Sequence, residues 1–276
     1  MTSTHNTPAE ANPPGVPSIT VGTFTEYASY LESNAPKVRL WFRGCGSSSH
    51  ALVPGLYRHP TIMDNSGLLE LERRSLMLFR QRSVPYDPRT GREPWDYLFM
   101  MQHSGVPTRL LDWTENAFIA LYFALTGAVR AASGNTVGDA AVWLLSPKSW
   151  NRGALHHMSF AGDILSAGDA ELNSYFPVTD PRLMGNEAVG LYGPHNTARI
   201  VAQRGVFTIF GKSMEPMENA HSHLTFEHTS LVKAIIPGDR VKSMLKSLRS
   251  VGFTETVVFP DLDGLARELK SELGFD

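Results

Sequence analysis

The order of apolar and polar positions divides the chain into short strands and amphipathic helices. Thr25 to Ser33 reads as a first helix, and Val38 to Arg43 (VRLWFR) as a strand stopped at Gly44. Between Ser66 and Ser83, Leu68, Leu69, Leu71, Leu76, Leu78 and Phe79 fall within about half of a helical circumference at ~100° per residue. Glu72 lies inside that apolar arc. Trp95 to His103 predicts a further helix. It is broken at Gly105-Val106-Pro107, because proline lacks an amide hydrogen and disfavours α geometry in the residue before it. Leu110 and Leu111 suit a short strand. Thr114 is placed to cap a helix from Glu115 to Thr126, whose nearly unbroken apolar surface makes it central.

In the second half, Ala140 to Leu145 reads as a strand and Asn151 to Pro194 as irregular. Arg199 to Ala202 and Val206 to Phe210 read as two strands joined at Arg204-Gly205, and Leu231 to Ile236 as another. A helix from Asp239 to Val251 has Asp239 as its cap and Gly252 just beyond its end. Thr256 to Phe259 reads as a last strand, followed by a helix capped by Asp261 and running to Leu273. Strands and helices intermix without regular βαβ alternation, which predicts an α+β domain with a mixed sheet and surrounding helices. Residues 1–18, rich in Pro, Thr, Asn and Ala, are expected to be a disordered lead-in to one domain over residues 19–276.

Composition adds little. Hydrophobic residues make up 42% and charged residues 19%, ordinary for a chain with a real core, and the formal net charge of −2 gives no global pull toward nucleic acid. The single cysteine, Cys45, and the absence of a signal-like or bilayer-length apolar run lead to the expectation of a soluble, cytoplasmic protein without membrane partners.

Several familiar motifs fail. Gly211-Lys212-Ser213 has the wrong spacing to Gly205 for a phosphate loop, and the intervening VFTIF reads as strand. Gly44-Cys45-Gly46 lacks the third glycine and the following helix of a dinucleotide fingerprint. His221 and His223 have no evident third ligand, so no metal is expected. Cys45 with His50 or His103 forms either a thiolate–imidazole pair or, more simply, a small filler at a turn beside an unrelated histidine.

What remains are polar residues set in strongly apolar surroundings, where burial is costly without a partner. Arg43 ends a buried strand and offers a planar fork of donors for phosphate or carboxylate, with Gly44 permitting close approach of ligand or backbone. Arg109 and Asp112 flank two leucines ahead of the central helix. They read either as an internal ion pair or as parts of a site. Gln203 marks the end of an expected strand, either as a plain turn residue or facing a cleft.

WFRG, QHSGVPTRLLDWTENAFIALYFAL and RIVAQRGVF, in this order and at these spacings, resemble the FRG-domain family, which takes its name from a Phe/Tyr-Arg-Gly motif. FPDLDGLA resembles the C-terminal tail often seen in it, so the resemblance runs from about Val38 to Leu269. Ser104 stands where the family has an aromatic residue, and Cys45 is unusual after the FRG triplet. The order of the motifs is in turn similar to that of the ADP-ribosyltransferase superfamily, which implies a fold of that kind and NAD as substrate.

On that resemblance Arg43, with Gly44, would hold the NAD diphosphate or nicotinamide ribose. Thr108, Arg109, Asp112, Trp113 and Thr114 would complete the NAD site, with Trp113 covering an aromatic ring and Thr114 at the strand–helix junction. Gln203 would bond the ribose hydroxyls, with His103 beside it in the catalytic set. The chain has no Glu-x-Glu pair there, which makes Glu72 the candidate for the missing carboxylate. The implied function is an NAD-consuming effector of the toxin or phage-defence type. It would modify a protein or nucleic acid and be restrained by an inhibitory antitoxin partner. The rivals are a non-catalytic module that binds a nucleotide-like ligand and a thiol hydrolase using Cys45.

Overall fold

Backbone pairing supplies the frame of the molecule. The computed structural model describes residues 15–34, 38–86, 92–132, 137–177, 180–194, 197–223 and 226–275. Its elements in chain order are β1 (Ser18–Thr20), α1 (Phe24–Asn34), β2 (Trp41–Cys45), α2 (Asn65–Ser83), α3 (Pro94–His103), β3 (Leu110–Thr114) and α4 (Ala117–Ala132). They continue through β4 (Ala140–Leu145), α5 (Pro147–Ala154), β5 (Leu165–Ser166), β6 (Val189–Tyr192), α6 (Ala198–Gln203), β7 (Gly205–Ile209) and α7 (Met217–His223). The last are β8 (Leu231–Ile236), α8 (Gly238–Ser250), α9 (Glu255–Val258) and α10 (Leu262–Glu272). Among the described residues the strands form one eight-stranded sheet in the order β1-β8-β4-β2-β3-β7-β6-β5. The outer pairs β1–β8 and β5–β6 are parallel and the rest antiparallel, so the fold is α+β with a mixed sheet. No helix among the described residues is long and apolar enough to cross a membrane. Of the expected lead-in, residues 1–14 lie outside the described residues, and Ser18 already pairs with Lys233.

Strand β4 shows how the sheet divides its side chains. All six residues are buried, with Ala140, Val142 and Leu144 in one apolar layer and Trp143 and Leu145 in the other. The first layer is closed by α1, α4 and α8, and α4 buries Ile119 to Tyr122, Ala124 and Leu125, leaving Phe123 partly buried, as its apolar composition requires. The second is closed by α2, α3 and α5, with Trp41, Trp95 and Trp150 at its centre.

Strand β2 lies unusually close to α4. A Cβ on Gly44 would stand 1.9 Å from the Ala120 carbonyl oxygen and 2.6 Å from the Ala124 nitrogen, and one on Gly46 would stand 2.5 Å from the Gly127 carbonyl carbon. Gly44 is therefore required for strand-on-helix packing, which accounts for it without a ligand. Gly44→Ala should cost at least about 1–3 kcal/mol, as overpacking of a fixed core does. A denaturant melt matching that of the parent protein would refute the close approach.

Some elements differ from the sequence expectation. Arg199 to Ala202 is not a strand but part of α6. The Thr197 hydroxyl accepts the Ile200 amide at 3.2 Å as its N-cap, and Arg204 ends it in the left-handed region at φ 46°. Ile200 is buried while Val201 is 54% exposed, and the run never pairs with the sheet. Thr256 to Phe259 is likewise the short helix α9 and its cap, with the Thr256 amide and hydroxyl both donating to Glu268. Helix α4 begins at Ala117, because the Asn116 carboxamide oxygen, rather than Thr114, accepts the Phe118 and Ile119 amides. Helix α8 begins at Gly238, leaving Asp239 in its first turn beside Arg240. The stretch read as irregular contains the end of α5, the paired strands β5 and β6, and Ala188, whose carbonyl accepts the indole N–H of Trp150, the residue just before the stretch.

Candidate active site

The cleft originates in a break in the sheet. Strand β3 pairs with β7 through five residues, yet with β2 only through Phe42 and Thr114. Beyond that pair the strands diverge, and the Arg43 side chain fills part of the gap by donating Nη1 to the Asp112 carbonyl oxygen at 2.6 Å. Around this opening lies a cleft of about 400 Å³ lined by Arg43, Gln102, His103, Asp112, Arg130 and Arg199, with Thr114 and Gln203 at its side.

Gln102 reaches the cleft because α3 stops where it does. Pro94 opens the helix behind a reciprocal Glu93–Asp96 cap, and Gly105 closes it at φ 80° with its amide on the Gln102 carbonyl. No atom lies within 4 Å of a Cβ built on Gly105, so its backbone angle, not space, demands glycine. The chain then returns, and buried Thr108 accepts the Leu110 amide at 3.0 Å and donates to the Gln102 carboxamide oxygen at 2.6 Å. That fixes the orientation of the amide. Its NH2 group is directed at the Asp112 carboxylate, 2.7 Å away. The spacing of Gln102, Thr108 and Asp112 in the motif is thus the spacing of a relay that aims one carboxyl group.

Asp112 is the one exposed residue of β3, yet its carboxyl lies within the concave lining of the cleft, where surrounding protein limits the water around it. The shortage of water pushes its carboxyl above the usual range, against the opposing pull of Arg43, the Gln102 hydrogen bond and Arg199. His103, at the exposed end of α3, is pushed down by partial burial and by Arg199, with Asp112 acting the other way. Near neutral pH this places a neutral imidazole beside a carboxylate that accepts protons more readily than most.

The expected residues separate into those at the cleft and those behind it. Arg43, His103 and Asp112 are brought together. Thr108 acts from behind through Gln102. Gln203 lines the cleft from the end of α6, but its NH2 group is held by the Val258 carbonyl at 3.0 Å, and its backbone carbonyl accepts the Thr114 hydroxyl. That hydroxyl also accepts the Asn116 amide, so Thr114 is a structural joint. Trp113 borders the cleft, but its side chain is packed into the core, 3% exposed, with its indole donating to Thr208 rather than standing free over the opening.

Glu72 and Arg109 lie outside the cleft. Both are fully buried and paired at 2.7 Å, and Arg109 also donates to the Phe210 and Tyr175 carbonyls at 2.8 and 3.0 Å. Glu72 is therefore not the carboxylate of this site, and the partner of Arg109 is Glu72 rather than Asp112. Cys45 is buried outside the cleft lining, and burial pushes its thiol up against the opposing pull of Arg43, which disfavours the thiolate a hydrolase would need.

Sequence reasoning missed Arg130, Arg199 and the central role of Gln102. A signal existed for Arg130, the single charged residue in the apolar helix α4. Gln102 and Arg199 both fall inside the motifs that were singled out.

No curated protein matches the chain, and no solved structure does. Over residues 38–132, from just before β2 to the end of α4 and including the whole relay that aims Asp112, the chain matches the family model of the FRG domain.

Proposed function

We propose that the chain is an NAD-consuming, ADP-ribosyltransferase-like enzyme with Asp112 as its working carboxylate. The observation that carries this reading is the Asp112 carboxyl at the floor of a cleft, aimed by Gln102 and bordered by the guanidiniums of Arg43, Arg130 and Arg199. Such a site suits a ligand that is anionic along its length and becomes cationic at one carbon during reaction. The bond from the nicotinamide nitrogen to the ribose C1′ breaks, and nicotinamide leaves with the electron pair. The ionised Asp112 faces the positive charge that develops at C1′, so it stabilises the transition state more than the ground state. An acceptor nucleophile then bonds to C1′, and its proton passes to His103, which is neutral and able to take it. Arg43, fixed by the Asp112 carbonyl, holds the substrate's phosphate or ribose end. The acceptor is a protein or nucleic acid, as for an effector of the toxin or phage-defence type kept in check by a partner.

The test is release of nicotinamide from NAD by the purified chain, with and without candidate acceptors. Folded protein that binds a nucleotide and releases none would favour a non-catalytic binding module. The mechanism also fixes a pH dependence. Activity requires ionised Asp112 and neutral His103, so it falls as pH drops through both groups, and the acid limb lies above the ordinary aspartate range. The Gln102 hydrogen bond favours the ionised form, hence Gln102→Ala should move the acid limb to still higher pH. A limb in the pH–rate profile that moves in neither the Gln102→Ala protein nor a Gln102→Ala, His103→Ala double variant compared with His103→Ala would detach Asp112 from the reaction.

A further inference from the structure

The C-terminal run FPDLDGLA is not explained by the cleft around Asp112. It begins at Phe259, and two guanidiniums lie over that ring, with Cζ of Arg199 at 5.0 Å and Cζ of Arg267 at 4.6 Å from its centroid. Phe123 meets the ring edge-on at 5.9 Å, fixing it from the side of α4. The backbone is equally constrained. Asp261 accepts the Gly264 amide at 2.7 Å, and a Cβ on Gly264 would stand 2.0 Å from the Phe259 carbonyl oxygen. A guanidinium stacked on an aromatic face keeps its edge N–H groups free to donate, so Phe259 holds these arginines in set orientations rather than neutralising them. Arg267 uses Nε on Glu255 at 3.3 Å.

Arg199, Arg267, Phe259, Asp261, Asp263 and Arg130 line a second cleft of about 360 Å³. Arg130 and Arg199 border both clefts, so the two adjoin at these side chains. Asp261 is engaged as the α10 cap, leaving Asp263 as the acid best placed to oppose an incoming anion.

We propose that this second cleft is a phosphate subsite, which takes the diphosphate of a nucleotide whose reacting end lies at Asp112. Charge alone does not separate the two clefts, since Arg130 and Arg199 serve both and each holds carboxylates, Asp112 in the first and Asp261 and Asp263 in the second. The difference is the Phe259 ring, which orients Arg199 and Arg267 in the second cleft as donors for phosphate oxygens, whereas Arg43 of the first is engaged with a backbone carbonyl. The inference rests on the proposed function only for the identity of the ligand.

The experiment is calorimetric binding of ADP and of adenosine to the full chain, its Arg199→Gln variant and its Asp263→Asn variant, with thermal melts to confirm folding. ADP should bind more tightly than adenosine. Arg199→Gln should weaken ADP roughly tenfold or more, as loss of a charged hydrogen-bond donor does. Asp263→Asn should strengthen ADP binding, and adenosine should respond to neither change. Equal affinity for ADP and adenosine, or ADP binding indifferent to Arg199, overturns the subsite. A single-stranded oligonucleotide that binds more tightly than ADP and depends on Arg199 overturns it in favour of the acceptor's phosphates. Arg199-dependent ADP binding without nicotinamide release leaves the subsite standing and sinks the transferase reading, whereas release with Arg199-independent ADP binding does the reverse.

Discussion

Arg109→Met is expected to remove about 3–5 kcal/mol of stability, the largest loss among the substitutions considered. The guanidinium is fully buried and joins three parts of the fold: Glu72 on α2, the Phe210 carbonyl after β7 and the Tyr175 carbonyl before β6. Removing it strands a carboxylate in a dry interior together with two carbonyls that no longer have a donor. Against a typical total of about 5–15 kcal/mol, that loss leaves a large unfolded population. The paired substitution Glu72→Leu with Arg109→Met should recover part of it, because both charges then vanish, while the two carbonyls remain unsatisfied. Denaturant unfolding of the single and double variants decides the matter. Near-parental stability in the single variant would falsify the clamp.

Asp112→Asn should do the opposite, leaving the fold sound and lowering NAD turnover by roughly 10²-fold or more, the scale of a lost electrostatic stabiliser. The sign on stability follows from the raised pKa. A carboxyl group that is harder to ionise when folded favours the native state below its unfolded pKa, and that contribution is lost as pH rises through the folded value. At neutral pH the ionised group therefore costs stability, and the isosteric amide relieves it. The variant should melt no lower than the parent at pH 7 and higher relative to it than at pH 4. Retained turnover would move the reaction away from Asp112. A melting temperature well below the parent's would identify the carboxylate as structural.

The contrast between these residues marks what could be read from the sequence. Glu72, Arg109 and Asp112 all stand out for the same reason, a charge among apolar neighbours, and that signal says only that each has a task. Which charge meets which depends on the packing of α2 against the turn before β3, contacts between residues far apart in the chain that no local pattern encodes. The relay from Thr108 through Gln102 to Asp112 sits within one short run, and the motif was accordingly legible as one connected unit. Strand β4 and the helices α2, α3 and α4 were readable because their patterns are long or strongly apolar. The failures at α6 and α9 came from short runs containing Ile, Val and Thr. There a hydroxyl cap or a carboxylate partner decides the conformation, and β propensity carries little weight.

The single pairing between Phe42 and Thr114 has a mechanical consequence. It makes the sheet two rafts tied by one backbone rung, with the Arg43 side chain as a second tie. Amide hydrogens along this seam should exchange through local opening, at lower free energy than those on the fully laddered β4–β8 and β3–β7 boundaries. A ligand that spans the seam adds rungs from outside, slowing exchange on both rafts at once. On the role proposed for Arg43, a bound substrate would act as a splint across the sheet and reinforce one of its two existing ties.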